Sequence, residues 1–463
     1  MRHIPPFVLL FLSGILYILV VAGIFSILQN ESVYNNTLGK ISSTERRANG
    51  DIQTVKAPFL HITPENLRHW DAPHYERIKD TGYWMGKEDR NYLFAFYPGF
   101  PLVWKILGLD IRWICLFNYL LYISGLVILF SVFLRHLNSS QQLILFLLLI
   151  SLPSTVVFLI PYSEAVFFFL ISLGIWAYMK DKVWLLFPSI MFATMTRRAS
   201  FLLIGASLAA VIIMFIRHRN SRLLIYDLLT LVFPILAGTF CISIIQYLAG
   251  SGSFFSFIRV TGSFSQKLGL PTGIYDWSHN SFPMNIGVLF IFIPLVIAHL
   301  GLFLWQSIKH NQQQIQDSRT HKKIVLSLLS CWYSIAAIAF ILLYQGGILN
   351  STFRGILCTP FFFICLIFMR ESEYHFRTNF ILFILFTALG LIIFLTAPYT
   401  SNTFRFGYLS LPMLIICVGI WLVHRKMELK SGIIIGSLGW IFLSATLVSY
   451  LFDIFLGNGW IYT

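Results

Sequence analysis

Residues 7–28 read FVLLFLSGILYILVVAGIFSIL, with no charged side chain anywhere in the run. A helix needs about 20 predominantly apolar residues to cross roughly 30 Å of hydrocarbon, and this stretch meets that length. It follows only a short basic start, Arg2 and His3. It is too long for a secretory leader and lacks a small-residue cleavage site, so the expectation is a retained first helix.

The rest of the chain repeats the pattern. Of 463 residues 57% are hydrophobic and only 11% charged, and the mean hydropathy is +0.76. A water-soluble fold would have no solvent for so much apolar surface. Further apolar runs lie near 112–135, 142–160, 162–179, 183–196, 199–216, 223–249, 285–306, 324–344, 355–369, 378–396, 405–424 and 432–455. The fold class expected is therefore an all-α polytopic membrane protein of about 13 transmembrane helices. It forms one transmembrane body over 1–463, in which the 183–196 and 355–369 spans are short enough to be tilted or broken.

Charge orients the bundle. One set of short loops carries Arg135, Lys180, Lys182, Arg217, Arg219, Arg222, Lys309, Arg319, Lys322, Lys323, Arg370, Arg377, Arg425, Lys426 and Lys430. The opposite short loops carry only Arg197, Arg198, Arg354 and Arg405. The first set is expected to face the cytosol, which puts the N-terminus inside and the C-terminus outside. The same rule accounts for the net charge of +14 without a nucleic-acid partner. Two long loops, 29–111 and 250–284, then lie on the non-cytosolic side. All six cysteines fall in apolar runs, which indicates neither a disulfide framework nor a zinc site.

The first loop holds the densest polar stretch. Thr63-Pro64-Glu65 reads as a helix start, with a hydroxyl cap, Pro in the first turn and an acid beside it. The helix is expected to run through Trp70-Asp71-Ala72-Pro73-His74-Tyr75 to Asp80 and stop near Gly82, with Pro73 kinking or breaking it. On one face Asp71 then lies near His74 and Tyr75, while Trp70 and Tyr83 anchor the helix at the membrane interface. The bland reading of the same residues is an amphipathic helix with solvated charges.

Elsewhere, Glu164 opens a span within Pro161-Tyr162-Ser163-Glu164, an ionisable group at or below the outer surface. Arg197 and Arg198 close a short span, and Arg354 and Arg405 sit in two similar contexts, Ser351-Thr352-Phe353-Arg354 and Asn402-Thr403-Phe404-Arg405. Charges near the bilayer interior are expensive and are usually paired or functional. Outward arginines suit the phosphate of a lipid-linked substrate; each one taken singly also fits a side chain snorkelling to anionic headgroups. In the second loop, Tyr275-Asp276-Trp277-Ser278-His279-Asn280 fits either sugar binding or an interfacial aromatic belt.

Three segments together resemble the PIG-V family of membrane mannosyltransferases, part of the GT-C superfamily, whose best-known members are the GPI mannosyltransferase II enzymes. Trp70-Asp71-Ala72-Pro73-His74-Tyr75, with Ile78 and Gly82-Tyr83, resembles the family's W-D-x-x-x-Y…I…G-Y stretch. Phe94-Ala95-Phe96-Tyr97-Pro98-Gly99-Phe100-Pro101-Leu102 is similar to its A-F-[FY]-P-G-F-P-L, and Tyr162-Ser163-Glu164-Ala165 to its Y-S-E-[AP]. The likeness covers roughly the first 200 residues. It departs at Arg197-Arg198-Ala199, where the family has R-S-N, and the family's late arginine corresponds to either Arg354 or Arg405.

The resemblance implies a GT-C-like bundle whose first external loop carries juxtamembrane helices. It also implies an inverting transferase whose donor is a polyprenyl (dolichyl) phosphate-linked mannose and whose acceptor is a GPI-like glycolipid. Asp71 is then the general base. Arg197, Arg198, Arg354 or Arg405 stabilises the departing lipid phosphate. His74 and Tyr75 orient Asp71 or contact the sugar. Trp70, Tyr97 and His279 complete the candidate substrate contacts, and Glu164 either binds acceptor hydroxyls or pairs with an arginine. No cofactor is implied beyond the lipid-linked donor, and nothing in the sequence demands a divalent metal. No feature specifies a protein subunit. The active face is expected in the endoplasmic reticulum lumen of a eukaryote, or outside the plasma or inner membrane of a bacterium. The competing readings are a GT-C enzyme moving another sugar or glycan to lipid or protein, a transporter or lipid flippase, and a catalytically silent scaffold.

Overall fold

Some helix starts in this chain are set by short polar caps between long apolar runs. Asp110 accepts the Arg112 backbone N–H at 3.0 Å and begins Ile111–Phe133, while Asn138 and Gln141 form a reciprocal capping box that begins Ser139–Ile150. The computed structural model describes residues 5–36, 45–46, 52–53, 59–83, 93–198, 201–256, 282–309, 317–344, 352–371 and 431–458. The spans expected at 378–396 and 405–424, together with His279 and Arg405, lie outside them.

The described residues are helical apart from turns and a two-residue antiparallel pairing, Glu45–Arg46 with Ile52–Gln53. In chain order the helices are α1 (Pro6–Leu28), α2 (Glu31–Asn36), α3 (Ala72–Thr81), α4 (Gly99–Leu107), α5 (Ile111–Phe133), α6 (Ser139–Ile150), α7 (Glu164–Met179), α8 (Val183–Thr196), α9 (Phe201–His218) and α10 (Ser221–Leu248). There follow α11 (282–309), α12 (Ser318–Tyr344), α13 (Thr352–Ile356), α14 (Pro360–Glu371) and α15 (Ser431–Leu456). Helices α10 and α11 each contain a short π-helical stretch, Leu228–Val232 and Val288–Phe292.

Six of the described helices are long and apolar enough to cross a membrane, or seven if α6 and the 3₁₀ segment after it form one span. The chain is a multi-pass, all-α membrane protein. The expected 142–160 span is the one most altered: α6 and Pro153–Leu159 meet at 74°. Pro153 cannot continue the helix of α6, and the bent segment is wholly buried, with Phe158 stacked on Tyr122 at 3.8 Å. The 355–369 span is likewise broken, into α13 and α14.

The core centres on α7, which packs against α5 and α8; α8 also meets α10, α9 packs on α12, and α1 lies against α15. The amphipathic helix of the first loop differs from the expectation. Thr63 does cap a turn, its hydroxyl accepting the Asn66 N–H at 3.2 Å, but the chain leaves that turn and α3 begins only at Ala72. Trp70 takes a left-handed backbone (φ 56°), which breaks helical continuity before Asp71. Pro73 falls in the first turn of α3, where a missing N–H costs nothing, so it starts a helix instead of kinking one. Gly82 ends it, as expected, with φ 67°. Tyr83 is not an interfacial anchor: it is buried, and its hydroxyl donates to the Phe96 carbonyl at 2.6 Å.

A second polar cluster ties the far end of α7. Asp227 accepts from the Tyr178 hydroxyl at 2.6 Å and lies 2.9 Å from His321 Nε2, all buried. Nearby, Asp181 accepts from Lys322 and from Tyr226. Tyr178 stands about 21 Å along α7 from Glu164, at 1.5 Å per residue. His321→Leu strips a partner from a buried carboxylate and is expected to cost about 1–3 kcal/mol. The measurement is the unfolding midpoint in detergent, which should fall without change to the polar cluster at the other end.

Candidate active site

The segment between Pro153 and Glu164 sets the site. Ile160–Ser163 is not helical, and its exposed carbonyls need donors. Asn118, buried in the middle of α5, supplies them: its side-chain nitrogen donates to Ile160 O at 2.7 Å and Tyr162 O at 3.0 Å. So held, Ser163 and Glu164 enter α7 at its N-terminus, where a carboxylate faces the positive end of the helix dipole.

Glu164 is completely buried, and its Oε1 accepts from Arg354 Nε at 2.8 Å and Nη2 at 2.6 Å. The same Nη2 reaches Asp71 Oδ2 at 3.1 Å. Arg197 Nη2 lies 3.3 Å from Glu164 Oε1. Two carboxylates and two guanidiniums, drawn from the start of α3, the start of α7, the end of α8 and α13, therefore share one cluster of balanced charge. Asp71 is the accessible member, its side chain 29% exposed, against 0% for Glu164.

Tyr162 braces the cluster. Its ring lies beneath the Arg354 guanidinium, 4.9 Å from ring centre to Cζ, a cation–π contact. Its hydroxyl accepts the Asp71 backbone N–H at 3.3 Å. Arg354 is placed in turn by α13, where Asn285 accepts the Phe353 N–H at 3.0 Å and Tyr333 donates to Gly355 O at 3.1 Å. His69 Nε2 lies 3.1 Å from the Leu456 carbonyl and links the Asp71 segment to α15.

The other candidates take separate places. Tyr75 is buried, its hydroxyl 3.1 Å from Ser163 Oγ, and it packs edge-on against Phe96 and Phe100. Burial first, then the nearby Asp71 and Glu164 charges, push its phenol up, so it is a neutral bracing group. His74 stacks on Phe96 at 4.6 Å, and burial lowers its pKa despite the charge of Asp71. Trp70 is half-buried, against the core, in a strained conformation next to Asp71; such strain persists where packing imposes it and is common at functional sites. Tyr97 is buried with Met195 and Ile242, and Arg198 is exposed beyond α8. The structure thus brings Asp71, Glu164, Arg197 and Arg354 together and leaves His74, Tyr75 and Tyr97 as packing neighbours. Tyr162 and Ser163 stand in a quoted motif but have no role of their own in the sequence reading; the structure shows them bracing the cluster. Asn118 is not picked out there, although an amide inside an apolar span is a signal.

Gly99 couples the first loop to this cluster. A Cβ there would lie 2.7 Å from the Met195 carbonyl oxygen and 3.0 Å from Thr196 Cγ2, immediately before Arg197. Backbone cannot yield as a flexible side chain does. Gly99→Ala is expected to destabilise the fold by about 1–3 kcal/mol and to displace Arg197. A thermal melt checks the first effect.

Among the described residues no three His, Cys, Asp or Glu side chains converge as a metal site. Compared with family models, curated proteins and solved structures, the chain matches none.

Proposed function

We propose that the chain is an inverting membrane mannosyltransferase, taking mannose from a polyprenyl phosphate-linked donor to a glycolipid acceptor, with Asp71 as general base. The observation that carries this reading is the Asp71 carboxylate, accessible on one side and held by a buried arginine on the other. In the proposed step an acceptor hydroxyl attacks the anomeric carbon while its proton passes to Asp71. The bond from that carbon to the phosphate oxygen breaks, and its electron pair leaves with the lipid phosphate. A positioned carboxylate of this kind contributes about 10²–10⁴-fold.

Three further features support it. The three motif segments of the family resemblance converge: Asp71, Gly99 and Glu164 all pack about the same cluster. The lysine-rich end of α7 is the cytosolic one by charge, so Asp71 and Glu164 face outward, where a flipped lipid-linked sugar is presented. Arg354 is occupied by two carboxylates, so the lipid phosphate falls to Arg198, which is exposed at the same end of α8.

The bent α6 segment and the buried charges also fit a transporter, so the test must separate chemistry from passage. Purified protein in nanodiscs is given radiolabelled mannosyl-phosphoryl-polyprenol and a panel of glycolipid acceptors. Acceptor-dependent release of polyprenyl phosphate is the expected result. Uptake of the intact lipid across a sealed bilayer without release would favour the transporter.

A further inference from the structure

Two polar atoms of the cluster have no hydrogen-bond partner among the described residues: Glu164 Oε2 and Arg197 Nη1, both buried. They are complementary. A carboxylate oxygen only accepts, and a guanidinium nitrogen only donates. Buried, unsatisfied charged atoms are costly enough that native proteins seldom keep them without a bound water or ligand. We propose that Glu164 Oε2 and Arg197 Nη1 form a subsite for a non-reacting hydroxyl of a hexose, which donates to the first and accepts from the second.

Other ligand groups fail on the same atoms. A phosphate satisfies Arg197 but is repelled by Glu164 and leaves Oε2 unmet. An ammonium does the reverse, and an apolar group satisfies neither. A hydroxyl serves both at once; so does a water molecule, and a water-filled site predicts no penalty for any deoxy probe. The cluster's charges already balance, which favours a neutral group in its depth and assigns Arg197 to sugar, not to phosphate. Arg197 stands on extended backbone just past α8, with its side chain 12% exposed as a whole although Nη1 is buried. Because Arg354 Nη2 touches both Glu164 and Asp71, the bound hydroxyl and the base are registered by one guanidinium. The inference rests on the transferase reading for the word hexose, and on the donor and acceptor left unpaired on neighbouring groups for the word hydroxyl.

The experiment is equilibrium binding in nanodiscs to wild type and Arg197→Met. The probes are a short-chain polyprenyl phosphomannose, each of its single-deoxy forms, bare polyprenyl phosphate, and octyl mannoside with its single-deoxy forms. One deoxy form should bind wild type about 10- to 100-fold more weakly, the range for a charge-assisted hydrogen bond. On Arg197→Met that penalty should shrink to about 3-fold or less, as the double-mutant logic requires, while bare polyprenyl phosphate binds both proteins alike. The probe series in which the penalty appears tells whether donor or acceptor supplies the hydroxyl. Arg197→Lys keeps a charge beside Glu164 and should restore part of the discrimination, which guards against a misfolded Met variant. A penalty that persists in Arg197→Met, no penalty at any position, or equal weakening of bare polyprenyl phosphate overturns the subsite. Binding with this pattern but no transfer would sink the transferase reading and spare the subsite; transfer without the pattern does the opposite. Failure to bind any mannosyl probe removes both.

Discussion

Arg354→Leu is expected to lower stability by about 3 kcal/mol, the low end for breaking a buried ion pair by removing one partner, and to abolish the proposed transfer. The guanidinium is almost fully buried and makes three charge-assisted hydrogen bonds, two to Glu164 and one to Asp71. Leucine fills some of the volume but leaves both carboxylates without it. Glu164 keeps Arg197 at 3.3 Å, which is why the low end is chosen; Asp71, partly exposed, recovers some solvation from water. The unfolding midpoint in detergent or bicelles reads the stability, and radiolabel transfer per folded molecule reads the activity.

Arg354→Lys separates the two effects. An ammonium keeps the charge, so much of the stability should remain. It is a point donor on a flexible stem, and it cannot reproduce a planar fork that spans Glu164 and Asp71 together. Activity should therefore fall far more than stability does. A lysine variant with wild-type turnover would mean that Arg354 supplies charge alone, and that Asp71 takes its orientation from Tyr162 and α3.

Much of this was legible in the chain. The apolar run at 7–28 and its successors required a membrane, because their length and lack of charge leave no other solvent. Glu164 and the outward arginines stood out for the same reason, since charge at those positions is expensive. What periodicity does not carry is partnership. Glu164 and Arg354 are 190 residues apart, and Asp71 and Arg354 are 283 apart. Arg354 and Arg405 sit in near-identical local contexts, and only the packing of α13 against Asn285 and Tyr333 puts Arg354 beside Asp71. The bend after α6 escapes hydropathy because both of its arms are apolar, and the sequence signal that marks it is Pro153. The start of α3 was misplaced for a different reason. Thr63-Pro64-Glu65 is a sound cap, yet it serves one turn only, and the left-handed Trp70 that precedes α3 has no signature in a bulky aromatic.

Asp71→Asn should remove about 10²–10⁴-fold of the turnover while leaving the fold close to intact. The substitution is isosteric, and an amide oxygen can still accept from Arg354 Nη2, so the geometry around α3 has no reason to change. The amide nitrogen cannot take a proton from the attacking hydroxyl, and it turns an acceptor toward that hydroxyl into a donor. Binding of the lipid-linked donor should be nearly unchanged, because the two side chains proposed to hold a sugar hydroxyl, Glu164 and Arg197, are untouched. The signature is thus a fall in kcat with little movement in KM, the pattern of an interaction realised in the transition state. Asp71→Glu is the companion: it keeps the base but lengthens its reach by one methylene into a cluster fixed by Arg354 and Tyr162, and partial activity is expected. Wild-type turnover in a folded Asp71→Asn protein would remove Asp71 as the base. Glu164 could not simply replace it, because its carboxylate is tied through Oε1 to both Arg354 and Arg197. Loss of turnover together with loss of donor binding would instead make Asp71 a sugar ligand, and the proton would then have to leave by water.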